Sequence, residues 1–576
     1  MKNVEVAGIL ERMGELLEIT AENAFKVRAY QRAAQAVENL HEPIERALVE
    51  GRLLTIPGIG EAISAKIAEI LNTGTCRQYE ELQESVPAGV VEMLRIPGLG
   101  PKKAGLFYRQ LGLTSVAELE AAAVAGKLRE LAGMGKKTEE NILEGISRLK
   151  QRSDRLPIGM IRPYAERIAA ALSNVGGVER VEVAGSLRRW RETVKDLDLV
   201  VAALDPAPVM DAFSKLPEVR EVLLRGDTKT SVLTELNVQA DLRVVRPGHF
   251  ASLLNHFTGS RDHNVRLRTI ARSRGLSINE YGVFREPDGA PVPIGDDERA
   301  LYDLLGMSFV IPEMREDTGE VDAALEKRLH VPLEMNDIRC DLHCHTFWSD
   351  GTASVDEMAQ AAKTRGYTHL GIADHSRSLV VAHGLTLNEI RAQIREIWEW
   401  NAKNADSGFC LLAGTECDIL GDGTLDWPMD LLSELDCVVA SVHTRFKMEE
   451  KEMTERVVRA LETGRIHVLG HPTGRLLSGR DPYALNMPLV LETARRTGTC
   501  VEINAHPDRL DLSDTHARMA KEMGVRLAIN SDAHSPEGFG VMEYGVHCAR
   551  RGWLSAEDVV NTYPLDRLMR VLRKEE

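Results

Sequence analysis

The residues best suited to chemistry stand at the ends of apolar runs in the second half of the chain. In DLHCHTFWSDG, residues 341–351, His343 and His345 lie two apart at the end of a strand-like run, and Asp350 follows five residues on. The pattern then recurs. THLGIADHS brings His375, FCLLAGTEC brings Glu416, DCVVASVHT brings His443, IHVLGHPTG brings His471, and RLAINSDAHS brings Asp532 and His534. A lone histidine in such a place is most often a satisfied polar residue. Six strand ends bearing only His, Asp and Glu make a ligand set suited to zinc, manganese or iron, placed where parallel-strand barrels keep their active residues. Nine candidate ligands exceed what one tetrahedral zinc takes, so two or three ions are expected to share the site. Neighbouring divalent ions clamp a phosphate and lower the pKa of bound water, so the expected chemistry is phosphoester hydrolysis.

A second constellation lies upstream, in VAGSLRRWRETVKDLDLVVAAL, residues 183–204. Gly185 and Ser186 follow a strand and open a helix, where backbone amides can receive a phosphate. Asp196 and Asp198 are two apart on the next strand and so share a face. Asp241 sits in the later apolar run VQADLRVV. Three convergent carboxylates can hold two Mg²⁺ ions around a triphosphate, for transfer of a nucleotidyl group with release of pyrophosphate.

A third pattern is a weak repeat in the first 150 residues: LTIPGIGEAISAKIAEIL (54–71), LRIPGLGPKKAGLFYRQL (94–111) and LRELAGMGKKTEENILEGI (128–146). Each is an apolar residue, a Gly-x-Gly turn and a helix. Gly58 with Gly60, and Gly98 with Gly100, permit a tight turn and close backbone approach to a phosphate. The third copy, Gly133 and Gly135, lacks the proline.

The elements that must position these groups follow from periodicity. Residues 1–150 read as helices, with Ile63, Ile67, Ile70 and Leu71 on one face. VERVEVAGS, DLDLVVAAL and NVQADLRVV read as strands; HNVRLRTIARSRG reads as a basic helix and INEYGVFRE as a strand. Residues 312–338, charged and with two prolines, read as a linker. From residue 339 apolar strands alternate with helices, which predicts a parallel α/β unit or barrel. At 576 residues several domains are expected, so the fold class is multidomain α/β. The net charge of −16 argues against a nucleic-acid binder, but residues 151–340 hold 22 arginines among 26 basic residues, a composition suited to phosphate contact. Eight scattered cysteines without a CxxC pair fit reduced thiols in a cytoplasm. The sequence has no apolar run long enough for a membrane span, and its first residues read as an amphipathic helix.

With these motifs in view, residues 339–576 resemble the PHP family, the polymerase and histidinol phosphatase superfamily. The resemblance implies a distorted (βα)7 barrel with a trinuclear metal centre, and His343, His345, Asp350, His375, Glu416, His443, His471, Asp532 and His534 each fall on a family ligand position. Some relatives carry histidine where this chain has Asp350. Asp374 and Asn504 are expected to support the ligands, and Cys344 and Cys417 to point into the core.

Residues 1–315 resemble the family X DNA polymerases, the group that includes polymerase beta. The resemblance makes Asp196, Asp198 and Asp241 the catalytic carboxylates and places Ser186 and Arg189 on the incoming triphosphate. HFTGSRDHNVRLR (256–268) matches the thumb motif beside the nucleotide. Gly259 and Ser260 lie in its turn, Asn264 matches a contact to the incoming base and Arg268 one near the template. His256 departs from the tyrosine with which vertebrate relatives exclude ribonucleotides. The glycine turns resemble helix-hairpin-helix motifs. Lys66 falls on the position of a Schiff-base lysine in relatives, while a neighbouring lysine is replaced by Ala62. Lys66 is read as a DNA phosphate contact, with lyase chemistry as the alternative.

The order of blocks resembles that of the bacterial family X polymerases. The implied domains are a helical DNA-binding region (1–90), a fingers-like region (91–150), palm (151–250), thumb (251–315), linker (316–338) and barrel (339–576). The expected function is gap filling in DNA repair together with 3′→5′ exonuclease action. Gapped or primed DNA and deoxynucleoside triphosphates are the expected partners, with Mg²⁺ or Mn²⁺ at the palm and Mn²⁺ or Zn²⁺, three ions, at the barrel. A monomer is the default. The rivals are a small-molecule phosphatase or abasic-site endonuclease with a vestigial polymerase core, and a non-catalytic DNA-binding scaffold.

Overall fold

The structure, a computed structural model, describes residues 3–38, 44–96, 99–131, 133–153 and 155–575. Two compact units divide it: residues 1–154 with 378–384, and residues 155–377 with 385–576.

The first unit is helical and has two small cores. One gathers Val6, Leu10, Ile44, Ile63, Ile67 and Ile70, so the periodic face of the helix Glu61–Thr73 is buried as its spacing predicts. The other gathers Val86, Val90, Phe107, Leu119 and Ile146. Leu16 and Ile19, at the end of the first helix, belong to this second core. The boundary expected at residue 90 therefore falls inside a core. Gly58 has φ +100° and lies against the backbone of Arg32, a position that favours glycine. Gly60 and Gly100 cap the helices Glu61–Thr73 and Pro101–Leu111 in extended conformation, without a side-chain cap. Gly98 lies outside the described residues.

The second unit opens with a five-stranded sheet, ordered Val178–Val183, Asp196–Ala203, Gln239–Val245, Lys229–Thr234, Val219–Arg225. The last two form a hairpin absent from the strands expected above; its edge strand is almost wholly exposed and lacks an alternating pattern. INEYGVFRE is a hairpin rather than one strand: Leu276–Asn279 turns back into Gly282–Arg285. Residues 316–338 are not a bare linker. The helix Glu320–Leu325 packs Val321 and Ala324 into the thumb core, and buried Glu320 accepts from Asp317 N and Thr318 N and meets His263 Nδ1 at 2.7 Å. Its charge is used internally, so composition was a poor guide.

Seven parallel strands follow, adjacent in chain order from Cys340–Cys344 to Leu527–Asn530. The ring nearly closes: Asp532 N donates to His343 O at 3.0 Å and His345 N to Ala533 O at 2.8 Å. One apolar core runs from Ile158 and Leu197 in the palm to Val559 in the barrel, so palm and barrel are packed as one body.

Candidate metal centres

The barrel strands deliver their last side chains to one mouth. Glu416 is at its centre, with His375 Nδ1 at 2.9 Å, His471 Nε2 at 3.0 Å, His443 Nε2 at 3.2 Å, His343 Nε2 at 3.3 Å and His345 Nε2 at 3.7 Å. Asp532 approaches His345 at 3.2 Å and His343 at 3.7 Å. Asp350 approaches His534 at 3.3 Å and His375 at 3.7 Å. Three groups have ligand atoms within 4.8 Å of one another: His345, Asp350, His375 and His534; His343, His345 and Asp532; His375, Glu416 and His443. The three groups share members, and His471 adjoins them through Glu416. All nine expected ligands are thus brought together. Asp350 and His534 are the more exposed members and mark the open side.

This site fits cations on its own chemistry. His343 Nε2, both ring nitrogens of His345, His375 Nδ1 and His471 Nδ1 are buried without a hydrogen-bond partner. Each such group costs about 1–3 kcal/mol, so five in one cluster cost about as much as the whole stability of a typical fold unless coordination repays them. The electrostatics agree. Burial works to raise the Glu416 carboxyl, yet the imidazoles of His343, His443 and His375 hold it well below the usual range. Burial would lower His443, but Glu416 and Asp418 push it up to about 10.

Two residues that sequence reasoning missed hold the ligands from behind. Glu502, on the strand Cys500–Asn504, meets His343 Nδ1 at 2.8 Å and accepts from His471 N at 2.6 Å and Asn530 Nδ2 at 2.9 Å. Asp418 pairs with His443 Nδ1. Such partners fix the ring that faces a metal. A lone acid inside an apolar strand, CVEIN, was the available signal. Asn504 donates to Asp532 at 3.0 Å, as expected of a supporting residue. Asp374 acts one step further away: it accepts from Thr346 N, Ser349 Oγ and Gln393 Nε2 and so fixes the loop that carries Asp350. Cys344 and Cys417 lie in the apolar core.

In the palm, Asp198 is the register partner of Asp241 across parallel strands. Gly185 has φ +61°, and a Cβ there would stand 2.2 Å from Asp198 Oδ2. The turn after the first strand therefore has to be glycine, and Gly185–Arg188 is a single helical turn. Gly185, Ser186, Arg189, Asp196, Asp198, Gly259, Ser260, Asn264 and Arg268 line one open cavity of about 840 Å³. Asp241 is not on its wall. Its carboxylate meets Lys229 Nζ at 2.9 Å and accepts from Gln239 Nε2 at 2.9 Å. Burial, and then the charges of Asp196 and Asp241, raise Asp198 to about 7. Burial would also raise Asp241, but hydrogen bonds from Gln239, Ser231 and Lys229 outweigh it and hold the group low.

The thumb side of the cavity is ordered by its own hydrogen bonds. Ser260 caps the helix Arg261–Ser273, Asn264 Nδ2 donates to His256 O at 2.7 Å, and Arg268 Nη2 lies 3.2 Å from His256 Nδ1. In the separate helical unit, Lys66 Nζ donates to Ala62 O at 3.3 Å on its own helix.

Comparison with known proteins agrees with this geometry. The family models for a helix-hairpin-helix domain, a SAM-like helix-hairpin-helix tandem, the DNA polymerase beta thumb and the PHP domain match residues 1–76, 90–148, 253–316 and 341–506. A Bacillus subtilis protein named DNA polymerase/3′-5′ exonuclease PolX is 39% identical over 580 residues, covering 100% of both chains. The chain belongs to the bacterial family X DNA polymerases. Other relatives of this family X chain match only part of it. Rat DNA polymerase lambda is 24% identical over 54% of this chain and 56% of its own. A Thermoanaerobacter protein named as a probable phosphatase is 27% identical over 38% of this chain and 89% of its own. Among the described residues, no helix is long and apolar enough to cross a membrane.

Proposed function

We propose that the palm cavity and the barrel mouth carry the two activities of this family. The chain is a DNA-directed DNA polymerase that fills short gaps in repair, and its PHP barrel is a metal-dependent 3′→5′ exonuclease. The alignment over the full length of the Bacillus protein, with both sites present in one chain, carries this reading.

At the palm, Asp196, Asp198 and Asp241 would hold Mg²⁺ or Mn²⁺, with Lys229 the neighbour of Asp241 in the present structure. Ser186, Arg189, Gly259, Ser260 and Asn264 hold the nucleotide, and Arg268 lies near the template. The amides after Gly58, Gly60, Gly98 and Gly100, with Lys66, grip the DNA backbone without reading sequence. At the barrel, the nine ligands hold three ions, Mn²⁺ or Zn²⁺. Bound there, such ions polarise a phosphodiester and supply a nucleophile from water at neutral pH. Glu416 ties the ligand groups together, while Glu502 and Asp418 fix the rings of His343 and His443. The open side at Asp350 and His534 admits the primer end. The protein works as a monomer in the cytoplasm.

A labelled primer on gapped duplex, with and without nucleotides, tests the division of labour. Asp198→Ala abolishes extension and leaves degradation; His343→Ala does the reverse. Extension surviving in the first variant refutes the palm assignment. Degradation surviving in the second, in Mn²⁺, puts the nuclease elsewhere.

A further inference from the structure

The palm and the barrel meet at a point that bears directly on the nucleotide cavity. The helix Met542–Arg551 of the barrel ends on Arg551, which is almost wholly buried. Its guanidinium makes four contacts. It pairs with Asp514 within the barrel at 2.7 Å, donates to Arg189 O at 2.7 Å and to Glu313 O at 3.3 Å, and lies 3.1 Å from Glu316 Oε1. The same oxygen of Glu316 lies 3.1 Å from Arg189 Nε and 3.7 Å from Arg191 Nη1. Arg189 Nη1 donates to Thr258 O at 2.5 Å, and Arg189 and Glu316 both line the cavity. One carboxylate oxygen is therefore shared by an arginine of the nucleotide cavity and an arginine of the exonuclease domain.

Docking does not require this sharing. Trp190 is stacked on His547 with ring centroids 3.6 Å apart, and Arg162 covers the indole at 3.6 Å. Glu192 pairs with Arg475 at 2.8 Å, and Glu313 pairs with His547 at 2.6 Å and Arg550 at 3.0 Å. These contacts already fasten the two surfaces. Arg551 adds a third cation, beside Arg189 and the more distant Arg191, around the oxygen of Glu316. Without Arg551 that carboxylate would bear mainly on Arg189, the guanidinium that a triphosphate must engage. Coulomb interactions add, so the positive charge of Arg551 offsets the field of Glu316 where a phosphate would sit.

We propose that Arg551 is a positioning residue of the polymerase site: by sharing Glu316 it keeps that internal anion from competing with the nucleotide's phosphates for Arg189. This rests on the reading of Arg189 as a triphosphate contact. Barrel docking then sets nucleotide affinity, although, among the described residues, no barrel residue lines the cavity.

Steady-state extension of a primed template, with nucleotide concentration varied, tests it in the full chain. Arg551→Ala raises the nucleotide KM about tenfold with kcat nearly unchanged, the signature of lost ground-state binding. Arg551→Lys recovers most of the loss. Glu316→Gln alone lowers KM, and adding it to Arg551→Ala brings KM back toward the parent value. The last pair is decisive, because a purely structural role for Arg551 predicts no rescue by removing Glu316. An unchanged KM in Arg551→Ala, or a double variant as weak as Arg551→Ala, overturns the proposal. Should Arg551→Ala fail to fold, Glu316→Gln carries the test: a KM that stays or rises overturns it. Arg189→Ala is the control on the underlying reading. If it leaves the nucleotide KM unchanged, that reading fails; if it raises KM while Arg551→Ala does not, only the coupling fails.

Discussion

At the barrel mouth, Glu416 has five imidazoles within 3.7 Å; in the palm, Asp241 has the ammonium of Lys229 at 2.9 Å and does not face the cavity. The two sites both gather carboxylates suited to cations but are prepared differently. The barrel has fixed its ligands at the ends of six of its seven strands and backed them with further carboxylates, so its geometry exists before any substrate arrives. The palm fixes only a register, Asp198 opposite Asp241, and a glycine turn that lets the chain pass the Asp198 carboxylate. The likeness to phosphoryl-transfer enzymes gives a reason: there a nucleotide arrives with its own metal, so the protein need hold only part of the shell. A hydrolytic site gains no such ligand from a DNA phosphodiester and has to supply the full set.

The largest separation of the two sites is expected from Gly185→Ala. The φ of +61° strains any other residue, and the new methyl would meet Asp198 Oδ2 at 2.2 Å, so that carboxylate has to move. A displacement of about 1 Å at a reacting centre costs about a hundredfold. Extension should fall by that order while primer degradation, read in the same preparation, holds. Equal loss of both would show a folding defect instead.

How much of this was legible in the sequence depended on where each residue sits relative to a strand end. Eight of the nine ligands stood out because they close apolar runs with His, Asp or Glu; Asp350 stood out by following one such run in the same motif. Glu502 and Asp418 did not, because they are two residues away from the position that draws attention: Glu502 precedes Asn504 inside its strand, and Asp418 follows Glu416. Residues two apart on a strand share a face, so alternation alone does not tell a residue that meets the metals from one that braces a ligand. The sixth of the seven barrel strands, CVEIN, bears no ligand and so was not counted. Charge misled at residues 316–338, where Glu320 is paired inside the protein with His263. No sequence pattern announced Arg551, whose partners outside the barrel, Arg189, Glu313 and Glu316, are more than 200 residues away.

A mid-sized effect should come from those braces. In Glu502→Ala, His343 Nδ1, His471 N and Asn530 Nδ2 lose their acceptor together. Loss of a partner behind a ligand typically weakens metal binding about 10–100-fold. The Mn²⁺ concentration for half-maximal degradation should rise accordingly, with Mg²⁺-dependent extension unaffected. An unchanged Mn²⁺ requirement would mean that the strand alone orients the ring of His343, and the contrast with the palm would lose its basis.

The smallest effect is on pH, and its sign differs in origin between the sites. In the palm, Asp198 sits at about 7 because of burial and its acidic neighbours. Below that value a proton competes with Mg²⁺ for the carboxylate, by up to about tenfold per pH unit for a single group. Palm affinity for Mg²⁺ should therefore climb with pH and level off above about 7. In the barrel the carboxylates stay charged: Asp350 lies at about 2, since burial is outweighed by hydrogen bonding to His534 and by the charges of His375, His345 and His534. There the competing protons are on imidazole. Asp418 and Glu416 hold His443 at about 10 against burial, and Asp350 and Asp532 hold His534 at about 9. Linkage gives the sign without metal. All three groups are raised, so the folded chain keeps protons that the unfolded chain has lost. Asp198's contribution to stability is full below its unfolded value near 3.8 and is lost as pH rises through about 7. The two histidines contribute fully below about 6.5 and lose that contribution as pH rises through about 9 to 10. Loading metal reverses this by removing the protons. At pH 8, titration calorimetry in two buffers of different ionisation enthalpy should find protons released by Mn²⁺ at the barrel and almost none by Mg²⁺ at the palm. The His343→Ala and Asp198→Ala variants assign the signals. Equal release at the two sites would show that the barrel histidines are already neutral, leaving the two centres separated by geometry alone.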